Sequence, residues 1–419
     1  MASRVLAILV TVAVCALLFR VSIAHFVVRV ISDQRITLPR EMLLSSAEKH
    51  SGSARINYRL AESLLIPPVD PASALDHAAR AVELSPWDYQ YRRMLALAQE
   101  LNGRQAEAES SIYAAVRLAP HHAELNWTQA NILLRSGKLD ASVEHFHRAA
   151  SMRPDFLIEA FELLWTASSG NLDTLNQLTK CDPEMQLSLV RFLIGQSRVD
   201  DAIAIFKGVD RQARLESPRS ADFLNTLIQA GQYASARTLW LDLAGALTRT
   251  DPASAGNVWN SGFEVDRIKA LGQFDWQINP NQYARIGFDR AETRGGLRSL
   301  RMLFSGIDTT TIRDQVKQLV ALRPGARYRL ECYAKSTDLM TPEGPRLAIF
   351  NGNSILATSE PVAEGTSDWR QLVVNFVAPT DNSPKFISIV RIPKFSYDDP
   401  TKGTIWFDDF ALTELGNGK

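Results

Sequence analysis

Three prolines, Pro86, Pro120 and Pro154, stand 34 residues apart, and each closes a run of the same form. The runs are Ala74 to Pro86, Ala108 to Pro120 and Ser142 to Pro154, each with apolar residues at the spacing of one helix face. Small residues hold two registers across them, Ala81, Ala115 and Ala149 in one and Ala74, Ala108 and Ser142 in the other. Such side chains let two helices approach closely. Gly103 and Gly137, again 34 apart, fall where a helix pair must turn, because glycine enters the left-handed backbone region without a Cβ penalty. A unit of this period buries its apolar face only against its neighbours, so the chain has to build a stack.

Over residues 70–154 these features resemble the tetratricopeptide repeat. Ala202 and Ala236 restore the period, but the step from Ser142 to Ala202 is 60, so one unit is trimmed or irregular. The segment Phe156 to Leu178 keeps helical periodicity through Ile158, Phe161, Leu164, Trp165, Leu172, Leu175 and Leu178, and fills that place. About five helix pairs are expected over 40–248, forming an α-solenoid. Trp87, Tyr89, Tyr91, Trp127, Phe146 and Trp165 fall where repeat cores are filled. The resemblance implies a groove for a protein or peptide partner. His121-His122 and His145-x-His147 could suggest a metal site, but the members of H-x-H point about 200° apart on a helix, and neutral surface histidines are the plainer reading.

From Ala246 to Gly256 helical periodicity gives way to breakers, which sets a boundary. Beyond it lie short alternating runs: 298–304, 328–335, 346–350, 371–377, 386–392 and 405–412. They are separated by Pro, Gly, Asn, Asp and Ser clusters and predict an all-β sandwich of eight or more strands. Asn260-Ser-Gly-Phe-Glu264, Trp276, Gly296 to Arg301, Gln318 to Leu330, Trp369, Phe376 to Pro379 and Trp406-Phe-Asp-Asp-Phe410 occur in that order. Together they resemble the jelly-roll carbohydrate-binding modules of the galactose-binding-like type over nearly all of 257–415. The resemblance implies a calcium-stabilised sandwich that binds glycans without cleaving them.

Alternation along 328–335 turns Tyr328, Leu330, Cys332 and Ala334 to one face and Arg329, Glu331, Tyr333 and Lys335 to the other. The first set packs and the second is free to bind. A sugar ring stacks its C–H face on an aromatic and pairs its hydroxyls with polar groups, so Trp276, Tyr333, Arg346 and Asn375 form a candidate carbohydrate-binding set. The alternative for Trp276 and Tyr333 is packing at the rim or in the core. Glu264 and the pair Asp408-Asp409 match positions where the family often holds calcium. Alternation turns only one of the pair inward, and Asp409 is taken with Glu264 as the metal set. A salt bridge or solvent exposure is the competing reading.

At the N-terminus, Val5 to Phe19 carries no charge and reaches about 22 Å as a helix. Continuing to Ala24, with Arg20 snorkelling to the headgroups, gives a single transmembrane anchor over roughly 4–24. Ser22-Ile-Ala24 also reads as a signal-peptide cleavage site before His25. Both readings make residues 1–31 a membrane anchor or signal segment. Val14 before Cys15 argues against lipid attachment. Arg20, Arg29, Arg35 and Arg40 follow the segment and count toward a cytoplasmic chain. A glycan-binding domain is more useful outside, so the expected placement is periplasmic or extracellular.

Lysine plus arginine and aspartate plus glutamate each number 46, so there is no global field to draw the chain onto nucleic acid. Cys15, Cys181 and Cys332 form no C-x-x-C pair, which excludes a zinc site and a disulfide scaffold. All seven histidines precede residue 148, so no Ser-His-Asp site can form within the C-terminal part alone. The sequence thus predicts a multidomain α + β chain of three parts: 1–31, a helical repeat over 40–248 and a β-sandwich over 257–415. The expected role is that of a non-enzymatic membrane-tethered scaffold, recruiting a protein partner and contacting a polysaccharide during its assembly or export. One alternative is a carbohydrate-active enzyme with paired carboxylates among Asp398, Asp399 and Asp408, which must lie about 5 to 9.5 Å apart. The other is a purely protein-binding scaffold.

Overall fold

The computed structural model describes residues 14–23, 38–180, 182–251, 256–308, 310–395 and 399–416. The chain divides into two compact units, Met1–Met185 and Gln186–Lys419. The described part of the first helix, α1, covers residues 14–23. No described helix is long and apolar enough to cross a membrane. This overturns the single-pass anchor, and the periplasmic or extracellular placement that followed from it loses its basis. Residues 1–13 and 24–31 of the expected segment lie outside the described residues, as does Cys181.

In the first unit α2 (Arg40–Lys49) precedes four helix pairs: α3 (Ala54–Leu64) with α4 (Pro71–Leu84), α5 (Tyr89–Leu101) with α6 (Gln105–Leu118), α7 (Ala123–Arg135) with α8 (Leu139–Met152), and α9 (Phe156–Ala167) with α10 (Leu172–Leu178). Two of these pairs, α5 with α6 and α7 with α8, turn by the same device. Gly103 and Gly137 adopt φ of 72° and 74°. The next N–H then reaches back to the preceding helix, Arg104 N to Gln99 O and Lys138 N to Leu133 O, both at 2.9 Å. This closure satisfies a carbonyl left open by the helix end. The seven residues of α10 are the trimmed unit that the 60-residue step required.

All six small residues of the two registers are fully buried, Ala74, Ala81, Ala108, Ala115, Ser142 and Ala149. Tyr91 packs on Tyr58 at 5.2 Å, and Trp127 lies against Phe146 and Phe156. Trp87 departs from expectation, with 81% of its surface exposed. It sits in the turn between α4 and α5, outside the helical register that would have turned it inward.

The second unit takes in α11 (Pro183–Gly195) and α12 (Val199–Gly208), the short α13 (Arg211–Glu216), and the pair α14 (Pro218–Gln229) and α15 (Tyr233–Thr248). Counting α11 with α12, the described residues hold six helix pairs where about five were expected. Ten strands follow: β1 (Gln277–Ile278), β2 (Ala284–Asp289), β3 (Ser299–Ser305), β4 (Val316–Val320), β5 (Arg327–Met340), β6 (Arg346–Asn351), β7 (Ser354–Thr358), β8 (Gly365–Val377), β9 (Lys385–Val390) and β10 (Lys402–Leu415). They form two antiparallel five-stranded sheets, ordered β1-β4-β9-β6-β7 and β2-β3-β10-β5-β8. The core between them includes Phe263, Trp276, Leu300, Met302, Leu330, Ile387 and Phe407. The stretch 246–256, read as a boundary, lies inside this unit. Trp240 of α15 is fully buried, donates from Nε1 to Leu271 O at 2.7 Å and meets Trp259 edge-on at 5.1 Å. The last helix pair thus shares an aromatic core with the segment that opens the sandwich.

Candidate functional site

Alternation along β5 holds: Tyr328, Leu330, Cys332 and Ala334 are buried, while Arg329, Glu331, Tyr333 and Lys335 face outward. Burial pushes the Cys332 thiol pKa up, so it stays a protonated packing group. The outer face of the β2-β3-β10-β5-β8 sheet therefore carries Tyr333. Asn375 of β8 pairs with Arg329 on the same face, four residues along β5 from Tyr333, or about 13 Å. Arg346 belongs to β6 of the other sheet, where it binds Glu343 at 2.9 Å and Ser359 O at 3.2 Å.

Trp276 must be corrected. It is 2% exposed, its ring lies 5.2 Å from Phe263 and 4.8 Å from Phe410, and its Nε1 donates to Asn260 O at 3.0 Å. Both its apolar surface and its polar atom are spent inside the core, so it offers no face to a sugar. The expected four-residue set is not assembled. Tyr333 and Asn375 alone share a surface, and they are separated along it.

Tyr333 is itself covered. The segment between β2 and β3 folds over the outer face and lays the Arg294 guanidinium 3.4 Å from the Tyr333 ring centroid. That contact combines cation–π attraction with planar stacking. The same guanidinium is paired with Asp409. Beneath it Asp408 accepts N–H bonds from Arg294 at 2.9 Å, Gly295 at 3.3 Å and Asp409 at 2.8 Å. Burial pushes the Asp408 carboxyl up from its ordinary value, against the pull of those three bonds.

Here the reading of Asp409 as the inward carboxylate also needs correction. The β10 register against β5 shifts between Asp408 and Ala411, and Asp409 takes φ of 53°. An inserted residue breaks strict alternation. Asp408 goes in, Asp409 stays partly exposed, and both carboxyls end up near Gly262 and Gly295. Glu264 reaches the same end of the sandwich, where its Oε1 accepts N–H bonds from Leu297 at 2.9 Å and Arg298 at 3.2 Å.

Calcium takes six to eight oxygen ligands. In this arrangement the Asp408 oxygens and Glu264 Oε1 are committed to N–H donors, and Asp409 is committed to a guanidinium. The donor set therefore does not fit the ion as it stands. Among the described residues no group of three or more His, Cys, Asp or Glu is arranged to hold a metal.

Two open features were not anticipated. At the β2 edge of the same outer face, Arg285, Ile286, Gly287, Phe288, Arg301 and Leu303 line a notch of about 270 Å³. A Cβ at Gly287 would meet nothing within 4 Å. The signal was available in Ala284-Arg-Ile-Gly-Phe-Asp289, since a glycine inside an alternating strand often marks a gap or a close approach. Beside the notch Trp406 Nε1 donates to Asp289 Oδ2 at 2.8 Å. Burial raises the Asp289 pKa, but this bond and backbone N–H donors outweigh it and hold the carboxyl below its ordinary value.

The second feature is a groove of about 350 Å³ between α11 and α14, lined by Leu187, Arg191 and Ile194 on one side and Asp222, Phe223, Asn225 and Gln229 on the other. Positions 222, 225 and 229 fall on one face of α14 by helical periodicity. Asn225 is already fixed from behind, its Oδ1 accepting from Gln273 Nε2 at 3.2 Å.

No family model matches the sequence, and no curated protein matches it closely enough to count as a relative. Among solved structures, a crystal structure of MamA is 15% identical and covers 40% of this chain and 82% of its own, with a TM-score of 0.29. A structure described as "CBM4 structure and function" is 16% identical over 38% of this chain and 99% of its own, with a TM-score of 0.28. MamA 41-end from Desulfovibrio magneticus RS-1 is 16% identical over 37% and 92%, with a TM-score of 0.27. Likenesses this slight carry no argument about activity. The helical repeat and the β-sandwich stand on the chain's own geometry.

Proposed function

We propose that this chain is a non-enzymatic scaffold whose tetratricopeptide-like helix pairs hold a segment of a protein partner and whose sandwich contacts a polysaccharide. The observation that carries the reading is the α11/α14 groove. An extended peptide needs hydrogen-bonding side chains at regular intervals beside apolar wells, and this groove supplies Asp222, Asn225 and Gln229 beside Leu187, Ile194 and Phe223. For the sandwich, support comes from the polar outer face of the β2-β3-β10-β5-β8 sheet with its notch at the β2 edge.

The enzymatic alternative lacks a supporting arrangement among the described residues. Asp408 is buried and bonded to backbone N–H groups, Asp399 is exposed, and Asp398 lies outside the described residues. The test is a peptide-library selection and a glycan array on the full chain, followed by the double variant Asn225→Ala and Gln229→Ala. Loss of the selected peptide without loss of melting temperature supports the groove. Undiminished binding by the folded double variant, or cleavage of a bound polysaccharide, overturns the reading.

A further inference from the structure

The β2 edge of the sandwich carries a charge pattern that narrows the ligand class. In the β2–β3 ladder Arg285 lies opposite Leu303 and Gly287 opposite Arg301. Directly opposed residues share a face, so Arg285 and Arg301 are diagonal neighbours on the outer surface, about 7 Å apart at their bases. Between them Gly287 leaves the sheet bare. The notch is thus a floor without a side chain, flanked by two guanidiniums and by the apolar Leu303.

Arg285 is uncommitted, and Arg301 is held only by a long ion pair. Among the described residues Arg285 makes no ion pair or hydrogen bond. Arg301 is 42% exposed, and its one charge contact is 3.8 Å from Asp289, beyond hydrogen-bond length. Its Nε is buried with no hydrogen-bond partner. Asp289 is occupied elsewhere, accepting from the Trp406 indole at 2.8 Å and from Ala291 N–H at 2.9 Å. This sets the pair apart from Arg294, Arg298 and Arg323, each of which already holds a carboxylate.

Two guanidinium groups line one gap, that of Arg285 unpaired and that of Arg301 in a long ion pair without a hydrogen bond, and together they form a receptor for a planar anion, which Arg recognises with paired N–H donors. The gap has room for a sugar ring against the bare strand and Leu303. We propose that the notch formed by Arg285, Gly287 and Arg301 binds a carboxylate-bearing sugar residue, so that the polysaccharide contacted by the sandwich is a polyuronate. The inference rests on the polysaccharide reading above and specifies its charge.

The test is affinity electrophoresis and calorimetry of the full chain against polygalacturonate, against its methyl-esterified form and against poly-glutamate. The esterified polymer keeps the sugar backbone and removes the charge. Polygalacturonate should bind and the other two should not. Arg285→Gln and Arg301→Gln should each weaken binding roughly tenfold or more, the scale of one charged hydrogen bond. Gly287→Val fills the gap while leaving both arginines in place, and it should abolish binding at an unchanged melting temperature. Equal binding of the esterified polymer overturns the charge inference but leaves the polysaccharide reading standing. Binding of poly-glutamate as strongly as polygalacturonate overturns the sugar assignment, and binding of none of the three by the folded chain overturns the site.

Discussion

The helix pairs of the first unit and the β-sandwich of the second reach a buried core with a different balance of side chains. The helices bury alanine at recurring positions, Ala74, Ala78, Ala81, Ala108 and Ala115 all being fully covered, beside larger side chains such as Ile56, Phe146 and Phe161. The sandwich buries Phe263, Phe304, Phe407 and Trp276 between its sheets. A stack of small residues spreads its stability over many repeated contacts. An aromatic layer concentrates it in a few side chains. Tryptophans expose the difference most sharply. Trp276→Ala should cost about 3–5 kcal/mol through lost burial and the cavity left behind. Trp87→Ala, at an exposed turn, should stay within about 0.5 kcal/mol. Urea unfolding followed by circular dichroism measures both. A large loss at Trp87 would mean that the turn is held by something other than its backbone.

What the sequence revealed follows the same divide. The helix turns were legible because only a residue tolerant of the left-handed region can close them, and glycine recurs at 103 and 137 for that reason. The inward face of β5 was legible from a period of two. The orientation of Asp408 and Asp409 was not, since a bulge adds one residue and no local signal announces it. Nor could sequence separate Trp276 in the core from Trp87 in the open, because burial of a lone aromatic is decided by distant strands. β7 went unread because it is a short edge strand with no buried residue to set a pattern. Of the candidate site, the elements were legible and the assembly was not: Tyr333 is capped by Arg294, 39 residues earlier in the chain.

Glycines sharpen the comparison at the next scale. Gly137 sits at positive φ with nothing within 4 Å of a would-be Cβ, so Gly137→Ala should cost about 1 kcal/mol from backbone strain alone. At Gly344 a Cβ would collide with the Val362 carbonyl, so Gly344→Ala has to move backbone and should cost more. Equal losses for the two in urea titrations would show that the sandwich loops give way as readily as the helix turns.

Acid should act on the two regions with opposite sign. Burial lowers the His77 and His145 pKa values from the ordinary 6.5, while each ring is held 2.9 and 3.2 Å from Asn57 and Asn126 respectively. Their folded forms bind protons less tightly than the unfolded chain. The stability they contribute is present above pH 6.5 and is lost as pH falls through the folded values. Asp275 and Asp408 are raised from 3.8 by burial, so their contribution is complete below 3.8 and is lost as pH rises through the folded values. Lowering the pH from 7.5 to about 5 should therefore lower hydrogen-exchange protection in α4 and α8, taken relative to the intrinsic exchange rate at each pH, without an equal drop in β10. In a His77→Gln, His145→Gln chain the helical change should shrink. Parallel loss of protection in both regions would refute the assignment.

The smallest expected effect tests the end of the sandwich where Glu264, Asp408 and Asp409 meet. If Arg294 is the counter-charge there, the melting temperature of the full chain should be unchanged by a chelator or by millimolar calcium. Arg294→Ala should lower it modestly, since the pair with Asp409 is partly exposed and exposed pairs contribute about 1 kcal/mol or less. The variant also uncovers Tyr333 and releases Asp409, so a calcium-dependent rise confined to it would show that guanidinium and metal compete for one position. A calcium-dependent rise in the unmodified chain would instead mean that the ion displaces Arg294 from Asp409. The arginine would then be free to swing off the Tyr333 ring, returning that aromatic face to the open outer surface of the sheet.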